Sequence, residues 1–335
     1  MIRRLLTILG IAAALLGIGA TSAFACGGLI APGHGEVLRR ATTLAAWHGG
    51  YEHYVTGFTF AGNAEKFGYI IPLPGVPAKI EKGGDWTLER LQREVNPVTE
   101  LAAFARGFAA TSSKSVEVLK EVRVDALDIK VVRGGGRDVA TWARENGFDM
   151  TKDTDTVLGT YSSARAIFAV AKFDSLGARK RGLVEGQGTT IHFTIPTKGP
   201  WIPLRILALG KAPTEAVDAD LFVLTDGVPT FAPAPRDLDG MTITHLQPAS
   251  NQLLSDLRSD RGMSWVPGTM WLTAIKLSAP ASTVRYDLAV DGARPVALPR
   301  FFPSGSAGWP LWMAMIAAAY ALVAVLRRTR PAHAA

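Results

Sequence analysis

Three of the six histidines lie close together near the start of the chain, next to its single cysteine. They are His34, His48 and His53, and the cysteine is Cys26. Imidazole and thiolate groups are ligands that suit zinc and copper. The odd spacing of His48 and His53 would place them on opposite faces of one strand. The group is therefore either a metal site or a set of turn and surface histidines, and the spacing assigns no cofactor.

Two groups of aspartates offer a weaker possibility of cation binding. They are Asp149, Asp153 and Asp155 in one segment, and Asp237 and Asp239 in another. The order of ligands in a calcium-binding EF-hand, with its Glu at the twelfth position, is missing from both. Carboxylates on surface loops are the favoured interpretation. An apolar and aromatic group of Met263, Trp265, Met270 and Trp271 is likewise predicted to belong to the core.

The common catalytic signatures are absent from the sequence. Gly134 to Gly136 form a glycine run, but no Lys-Ser or Lys-Thr follows it, so we interpret it as a loop. The nucleophile elbow, the zinc-protease helix motif and the Ser-x-x-Lys motif do not occur. A single cysteine also excludes thiol exchange between paired cysteines and a four-cysteine zinc site. No catalytic residue is assigned from the sequence.

The charge of the chain is concentrated at its ends. The formal net charge is +7, from 36 basic and 29 acidic residues. Five arginines flank the two terminal apolar runs, at positions 3, 4, 327, 328 and 330. Without them, 31 basic residues face 29 acidic ones, so the rest of the chain carries only +2. This distribution argues against nucleic acid as a partner.

The N-terminus has the features of an export signal. Arg3 and Arg4 precede an apolar run from Leu5 to Ala20, and Ala23 and Ala25 are the small residues expected before a cleavage site. Cleavage there would leave Cys26 as the first residue of the mature chain, with residues 1–25 removed. Lipid attachment to Cys26 is the alternative, although Ala23 and Phe24 stand where such processing favours Leu and a small residue.

The C-terminus has the features of a membrane anchor. Residues 309–326 carry no charge and come close to the length of about 20 residues that spans a bilayer. The arginines after the span predict a cytoplasmic tail of residues 327–335, and therefore a body on the other side of the membrane. Residues 304–308 would form a small-residue stalk. A C-terminal sorting tag, removed after export, is the alternative for the same segment.

Residues 26–303 are predicted to form an extracytoplasmic body rich in β-strands. The clearest alternation places Val284, Tyr286, Leu288 and Val290 on one face of a strand. Similar runs are residues 54–60, 67–73, 116–124, 129–133, 164–173, 189–195, 202–209, 221–224, 242–246 and 270–277. Their number and the turns between them favour an α+β fold dominated by antiparallel sheet.

Short helices interrupt the strands. Leu88, Leu91 and Val95 recur at helical intervals, and Asn96-Pro97 would begin a second helix that runs to about Arg106. Asp138 to Glu145 is predicted to be a helix that ends in a left-handed cap at Asn146-Gly147. Ser250 to Ser259 is a further candidate. A break near residues 175–188 could divide the body into two subdomains.

Several segments resemble a family of exported bacterial proteins, catalogued as domain of unknown function 2330. Cys26-Gly27-Gly28 after the signal and the run Phe67-Gly68-Tyr69-Ile70-Ile71-Pro72-Leu73-Pro74 are similar to the opening of that family. Residues 122–132, 138–148, 161–173 and 200–205 are similar to its later segments. Its members commonly have a signal, a β-rich body and often a C-terminal span. They often carry more than one cysteine near the start, whereas this chain has Cys26 alone. The family implies no activity.

Two hypotheses about function follow from the sequence. The first is a membrane-anchored extracytoplasmic module that binds or scaffolds another component of the bacterial envelope without catalysis. Its partners would be the lipid bilayer and an envelope protein. The second is an envelope enzyme or metal-binding protein that uses the region of His34, His48 and His53. A fold that gathers several histidines or carboxylates in a deep pocket would favour the second.

Overall fold

The computed structural model describes residues 28–30, 41–59, 68–84, 86–96, 117–124, 127–148, 150–163, 165–173 and 188–291. The predicted signal with Ala23 and Ala25, Cys26, His34, the second helix predicted from Asn96-Pro97, the stalk and the predicted span lie outside these residues or almost wholly so. Among the described residues, no helix has both the length and the apolar character needed to cross a membrane.

Fifteen strands are the main regular elements of the described chain. They are β1 (Gly28–Ile30), β2 (Ala41–His48), β3 (Tyr51–Thr59), β4 (Gly68–Leu73), β5 (Lys79–Lys82), β6 (Glu117–Val124), β7 (Leu127–Arg133), β8 (Ile167–Phe173), β9 (Gly188–Pro196), β10 (Trp201–Ile202), β11 (Ala216–Thr225), β12 (Thr230–Ala232), β13 (Met241–Pro248), β14 (Trp271–Pro280) and β15 (Leu288–Asp291).

The helices among the described residues are few and short. They are α1 (Thr87–Val95), α2 (Gly136–Glu145), α3 (Thr154–Gly159) and α4 (Asn251–Ser259), with 3₁₀ turns at Arg205–Ala208 and Pro235–Asp237. Leu91 of α1 is buried, as the spacing predicts. The Ser250 side chain accepts a hydrogen bond from the Leu253 amide and caps α4.

The strands form three sheets. The large sheet has the order β13-β14-β11-β2-β3-β9-β5, the second sheet β1-β4-β8-β7-β6, and the small sheet β10-β15-β12. Within the described strands, β2 and β11 are the one parallel pair and the other pairings are antiparallel. The expectation of an α+β fold dominated by antiparallel sheet is confirmed.

Burial divides the described core into layers. One apolar cluster joins the inner face of the large sheet, with Tyr54 and Phe193, to the inner face of the second sheet, with Tyr69 and Ile129. A second cluster packs α2 and α3 on the outer face of the second sheet. A third packs α1 and α4 on the outer face of the large sheet. The described chain is therefore a two-sheet sandwich with a helical layer on each outer face.

Some of the predicted elements differ from the structure. Residues 202–209 were expected to be a strand, but β10 ends at Ile202 and a 3₁₀ turn follows at Arg205–Ala208. The predicted strand from Val284 to Val290 is shorter, because only Leu288–Asp291 forms ladder bonds, although Val284 and Val290 are buried as expected. Gly136 is also not a loop residue, since it begins α2.

Close packing at the start of α2 explains the role of that glycine. A Cβ atom on Gly136 would lie 1.8 Å from the carbonyl oxygen of Leu158, at the end of α3. The other end of α2 matches the prediction, because Gly147 has φ +77°, in the left-handed region. The division into subdomains near residues 175–188 stays a prediction, since nearly all of that segment lies outside the described residues.

Candidate functional site

The structure describes two of the three histidines that the sequence grouped together, and it gives them different surroundings. His48 ends β2, is partly exposed, and has its Nδ1 2.7 Å from Oδ1 of Asp226. His53 lies on β3 and is buried. Cys26 and His34 lie outside the described residues. Within the part of the chain that the structure describes, no three His, Cys, Asp or Glu side chains are placed to hold one metal ion.

The aspartate groups and the aromatic group are placed as expected where they are described. Asp153 accepts a hydrogen bond from the Gly210 amide, and Asp155 pairs with Arg144 at 2.6 Å. Asp237 and Asp239 are exposed, and Asp149 lies outside the described residues. Met263 and Met270 are buried in the cluster under α4, which confirms their assignment to the core, and Trp265 packs partly buried against it.

His53 has a partner that the sequence did not suggest. Its Nδ1 lies 2.9 Å from Nε2 of His192, which comes from the neighbouring strand β9. His53 is opposite Thr194, and His192 is opposite Val55, so the two histidines are diagonal neighbours on the outer face of the large sheet. Both are buried, His192 almost completely. The strand pattern at residues 189–195 allowed His192 an outer-face position, but it contained no signal for a partner 139 residues away.

The surroundings of the histidine pair come from two further segments. The indole of Trp265 stacks on the His53 ring, with a centroid distance of 3.7 Å and an angle of 7°. On the other side, Oε1 of Glu81 in β5 lies 3.6 Å from Nδ1 of His192, too far for a hydrogen bond. Gly262 passes close by, because a Cβ atom there would be 3.1 Å from the same nitrogen. We call His53, His192, Glu81 and Trp265 the histidine cluster.

Burial keeps both imidazoles neutral at neutral pH. It lowers the pKa of His53 to about 3, with smaller contributions from His192 and His48. Burial also lowers the pKa of His192 to about 4, while the Glu81 carboxylate opposes this shift and Lys79 adds to it. A proton on Nδ1 of His192 faces the negative Glu81, which favours the tautomer in which His53 Nδ1 donates to His192 Nε2. The pair is therefore a neutral hydrogen-bonded contact between β3 and β9, covered by Trp265.

Glu52 is a second buried titratable group. Its Oε1 accepts a hydrogen bond of 3.1 Å from the Trp201 amide, and its Oε2 has no hydrogen-bond partner among the described residues. Complete burial raises the pKa of this carboxyl well above 4.5, and the bond from Trp201 only partly opposes the effect. Burial inside the sandwich therefore favours the neutral form of Glu52. The burial of Glu52 was not predicted, because the alternating run that marks this strand in the sequence begins only at residue 54.

Asp287 joins three segments through a fully bonded network. Its Oδ1 accepts hydrogen bonds from the Leu204 and Arg205 amides at 2.9 and 3.1 Å, and from the Tyr161 hydroxyl at 3.2 Å. Its Oδ2 accepts from Nε of Arg205 at 2.9 Å. The Arg205 guanidinium also lies over the Tyr161 ring, 4.3 Å from its centroid. Because the donors and acceptors satisfy each other, this network is a structural tie between segments.

The outer edges of the two larger sheets differ in charge. The edge strand β5 carries Lys79, Glu81 and Lys82, and the edge strand β6 carries Glu117, Lys120, Glu121 and Arg123. The edge strand β13 contains no Asp, Glu, Lys or Arg. Its Ile243 and Leu246 are 37% and 40% exposed. Charged side chains commonly protect an edge from pairing with another chain, and β13 lacks them.

Comparisons with known proteins place the chain in one family. A family of uncharacterized proteins conserved in bacteria (DUF2330) matches residues 20–291. The chain belongs to this family, as the resemblance of its opening segments predicts. Comparisons with curated proteins and with solved structures gave no match.

Proposed function

We propose that this protein is a single-pass membrane protein of the bacterial envelope, with its β-rich body outside the cytoplasm. The signal at residues 1–25, the apolar segment 309–326 and the arginines that follow it support this orientation. The partners of such a protein are the lipid bilayer, through the C-terminal segment, and another protein of the envelope. The near-neutral body gives no support to nucleic acid as a partner.

We further propose that the body binds or scaffolds without catalysis. The observation that carries this proposal is the β13 edge of the described large sheet, which exposes Ile243 and Leu246 and contains no Asp, Glu, Lys or Arg. Proteins recognise extended segments at such edges by adding a strand to the sheet. No other long edge of the described sheets combines these properties, because β5 and β6 are charged.

Reporter fusions test the orientation. A reporter that is active only outside the cytoplasm should be active when fused after Gly308 and inactive when fused after Ala335. The opposite pattern, or activity at neither position, would contradict the proposed topology. Intact mass of the mature chain should also begin at Cys26. A chain that begins at Met1 would contradict cleavage, and an added diacylglyceryl mass would favour the lipoprotein alternative.

Site-specific photo-crosslinking tests the binding role. A photoreactive amino acid at position 243 should give covalent adducts in growing cells. The matched control is position 118, because Val118 is 38% exposed on the charged edge β6. Adducts at 243 and not at 118 would support binding at the β13 edge. No adduct at 243, or equal adducts at both positions, would contradict it.

A second candidate function is an envelope enzyme or metal-binding protein that uses the region of His34, His48 and His53. Its observation is the contact of 2.9 Å between His53 and His192 beside Glu81. Metal content of the purified protein tests this candidate, together with the triple variant in which His34, His48 and His53 are replaced by Ala. Stoichiometric zinc or copper that is lost in the variant would replace the binding module as the leading proposal. A wild type without metal would exclude the metal form of the candidate.

A further inference from the structure

We propose that β13 pairs with β13 of a second copy of this chain, in antiparallel orientation, and joins the two large sheets into one. The inference rests on the proposed binding role of this edge and names its occupant. Homodimers with two-fold symmetry use the same patch of both subunits, so the patch must be complementary to itself. The argument therefore depends on the side chains and the register of β13.

A β-bulge gives β13 its apolar face. Ile243 is opposite Ile275 of β14, and Leu246 is opposite Thr273, with the register shift between Ile243 and His245. Ile275 and Thr273 are two residues apart and lie on the same face of β14. The shift therefore brings Ile243 and Leu246 to one face, although an odd spacing separates them in sequence.

That face continues the inner face of the large sheet. Ile275 belongs to the apolar cluster between the two larger sheets and is buried. On the same face of β13, Met241 is buried in this cluster, whereas Ile243 and Leu246 are exposed. The large sheet has seven strands and the second sheet five, so the two stacked sheets differ in width. We infer that Ile243 and Leu246 extend the inner face of the large sheet beyond the part that the narrower second sheet covers.

The symmetry of β13 suits a second copy. If the two-fold axis passes between Thr244 and His245, Ile243 lies opposite Leu246 of the second copy, and the same contact repeats on the other side of the axis. Thr242 then lies opposite Gln247. Residues directly opposite each other in an antiparallel pair share a face, and this register keeps the apolar side chains together and the polar ones together.

Charge favours a second copy over an ionic peptide. With no Asp, Glu, Lys or Arg in Met241–Pro248, two copies bring no like charges together along the ladder. The strand also has no charge that would select an acidic or basic segment of another protein. In the proposed topology, both copies are confined to one membrane, which raises their effective concentration for each other.

The oligomeric state of the full-length protein in detergent tests the inference. Light scattering during size-exclusion chromatography should give the mass of two chains, after correction for detergent. Replacing both Ile243 and Leu246 with Lys should raise the dissociation constant about tenfold or more, because four added charges face each other across the ladder. The matched control, Val118→Lys, adds a charge to another edge and should leave the dimer intact. A monomeric wild type, or equal dissociation in the control, would overturn the inference.

A covalent test does not depend on the lysine variants. In the proposed register, a Thr244→Cys variant brings two thiols close to the two-fold axis, so oxidation by diamide should give a disulfide-linked dimer. The wild type measures the background from Cys26, and Val118→Cys is the matched control. If Thr244→Cys gives no more covalent dimer than the wild type and Val118→Cys give, the proposed pairing is contradicted. If photo-crosslinks from position 243 contain a different protein and no second copy, the inference fails and the binding role stands.

Discussion

The contact between His53 and His192 makes the stability of the fold depend on pH. The two rings are buried side by side. A ring that takes up a proton is therefore charged without solvation by water, which lowers its pKa. The unfolded chain takes up these protons near pH 6.5, whereas the folded chain resists them until pH 3 to 4. Because the folded pKa values are lowered, stability is lost as pH falls below 6.5.

This linkage predicts a measurable slope. Between pH 6.5 and 4, the free energy of unfolding should fall by about 1.4 kcal/mol per pH unit for each histidine that resists protonation. Chemical denaturation across this range should show a shallower slope when His53 and His192 are both replaced by Gln. The control is His245→Gln, on the exposed edge strand. An unchanged slope in the double variant would show that other groups dominate the acid response.

Glu52 affects the pH dependence of stability in the opposite direction. Its folded pKa is raised, so the native carboxyl stays protonated while the unfolded one ionises above about pH 4.5. Stability is therefore lost as pH rises above 4.5 towards the folded pKa. A neutral amide of the same shape carries no such penalty.

A Glu52→Gln variant should therefore be more stable than the wild type at pH 8, because the wild type loses stability as its unfolded carboxyl ionises. The difference should shrink below pH 4.5, where both states of the wild type are protonated. Thermal or chemical unfolding at both pH values measures it. Glu117→Gln, at an exposed carboxylate of β6, is the control and should show little effect at either pH. A Glu52→Gln variant that is less stable at pH 8 would indicate that the charged form is stabilised in the fold.

At the scale of the elements, strands that alternate apolar and polar residues could be predicted from the sequence. A strand that is buried on both faces could not. The runs at residues 54–60, 189–195 and 270–277 alternate, and all three form strands. The strand β2 was missed because six of its eight residues are buried on both faces, and its Ala and Thr side chains give no period of two. The prediction of a strand at residues 202–209 was wrong, because the apolar residues of this run, such as Ile206, are buried in a 3₁₀ turn. Short apolar runs do not distinguish these cases.

Contacts between distant segments could not be predicted from local sequence patterns either. His53 was selected because of its neighbours in the chain, but its contacts are with His192 and Trp265, which come from two other segments. A third segment brings Glu81 next to His192. The exposed edge of β13 was also not predictable, because residues 242–246 identify a strand and not its place in the sheet. Local patterns indicate elements, whereas sites depend on strand order and register.

The junction of α2 and α3 gives a prediction at this scale. Gly136→Ala should destabilise the protein by about 1–3 kcal/mol or more, because the added Cβ would overlap the Leu158 carbonyl at 1.8 Å. The higher helix propensity of Ala offsets less than about 1 kcal/mol. Gly268→Ala is the control, since no atom lies within 4 Å of its Cβ position, and it should change stability by no more than about 0.5 kcal/mol. Equal melting temperatures for the two variants would contradict this account.

At the scale of the whole molecule, the described residues form an extensive apolar core. Three apolar clusters fill the spaces between the sheets and beneath the helices, and their members lie between Ala41 and Val290. Burial on this scale supplies the main stabilising free energy of a domain. We therefore expect the body to fold whether or not the C-terminal segment is attached.

Truncation after Gly308 tests this expectation together with the proposed anchor. The truncated chain should be exported and recovered as a soluble, cooperatively unfolding protein, because the three described clusters supply a core and the predicted C-terminal span is gone. The full-length chain, processed in parallel, should remain with the membrane after a high-salt wash. Truncated protein that stays on the membrane would contradict the anchor as the sole attachment. In that case Cys26→Ser in the truncated chain separates the causes, because release by this substitution indicates a lipid on Cys26, whereas retention indicates a protein partner.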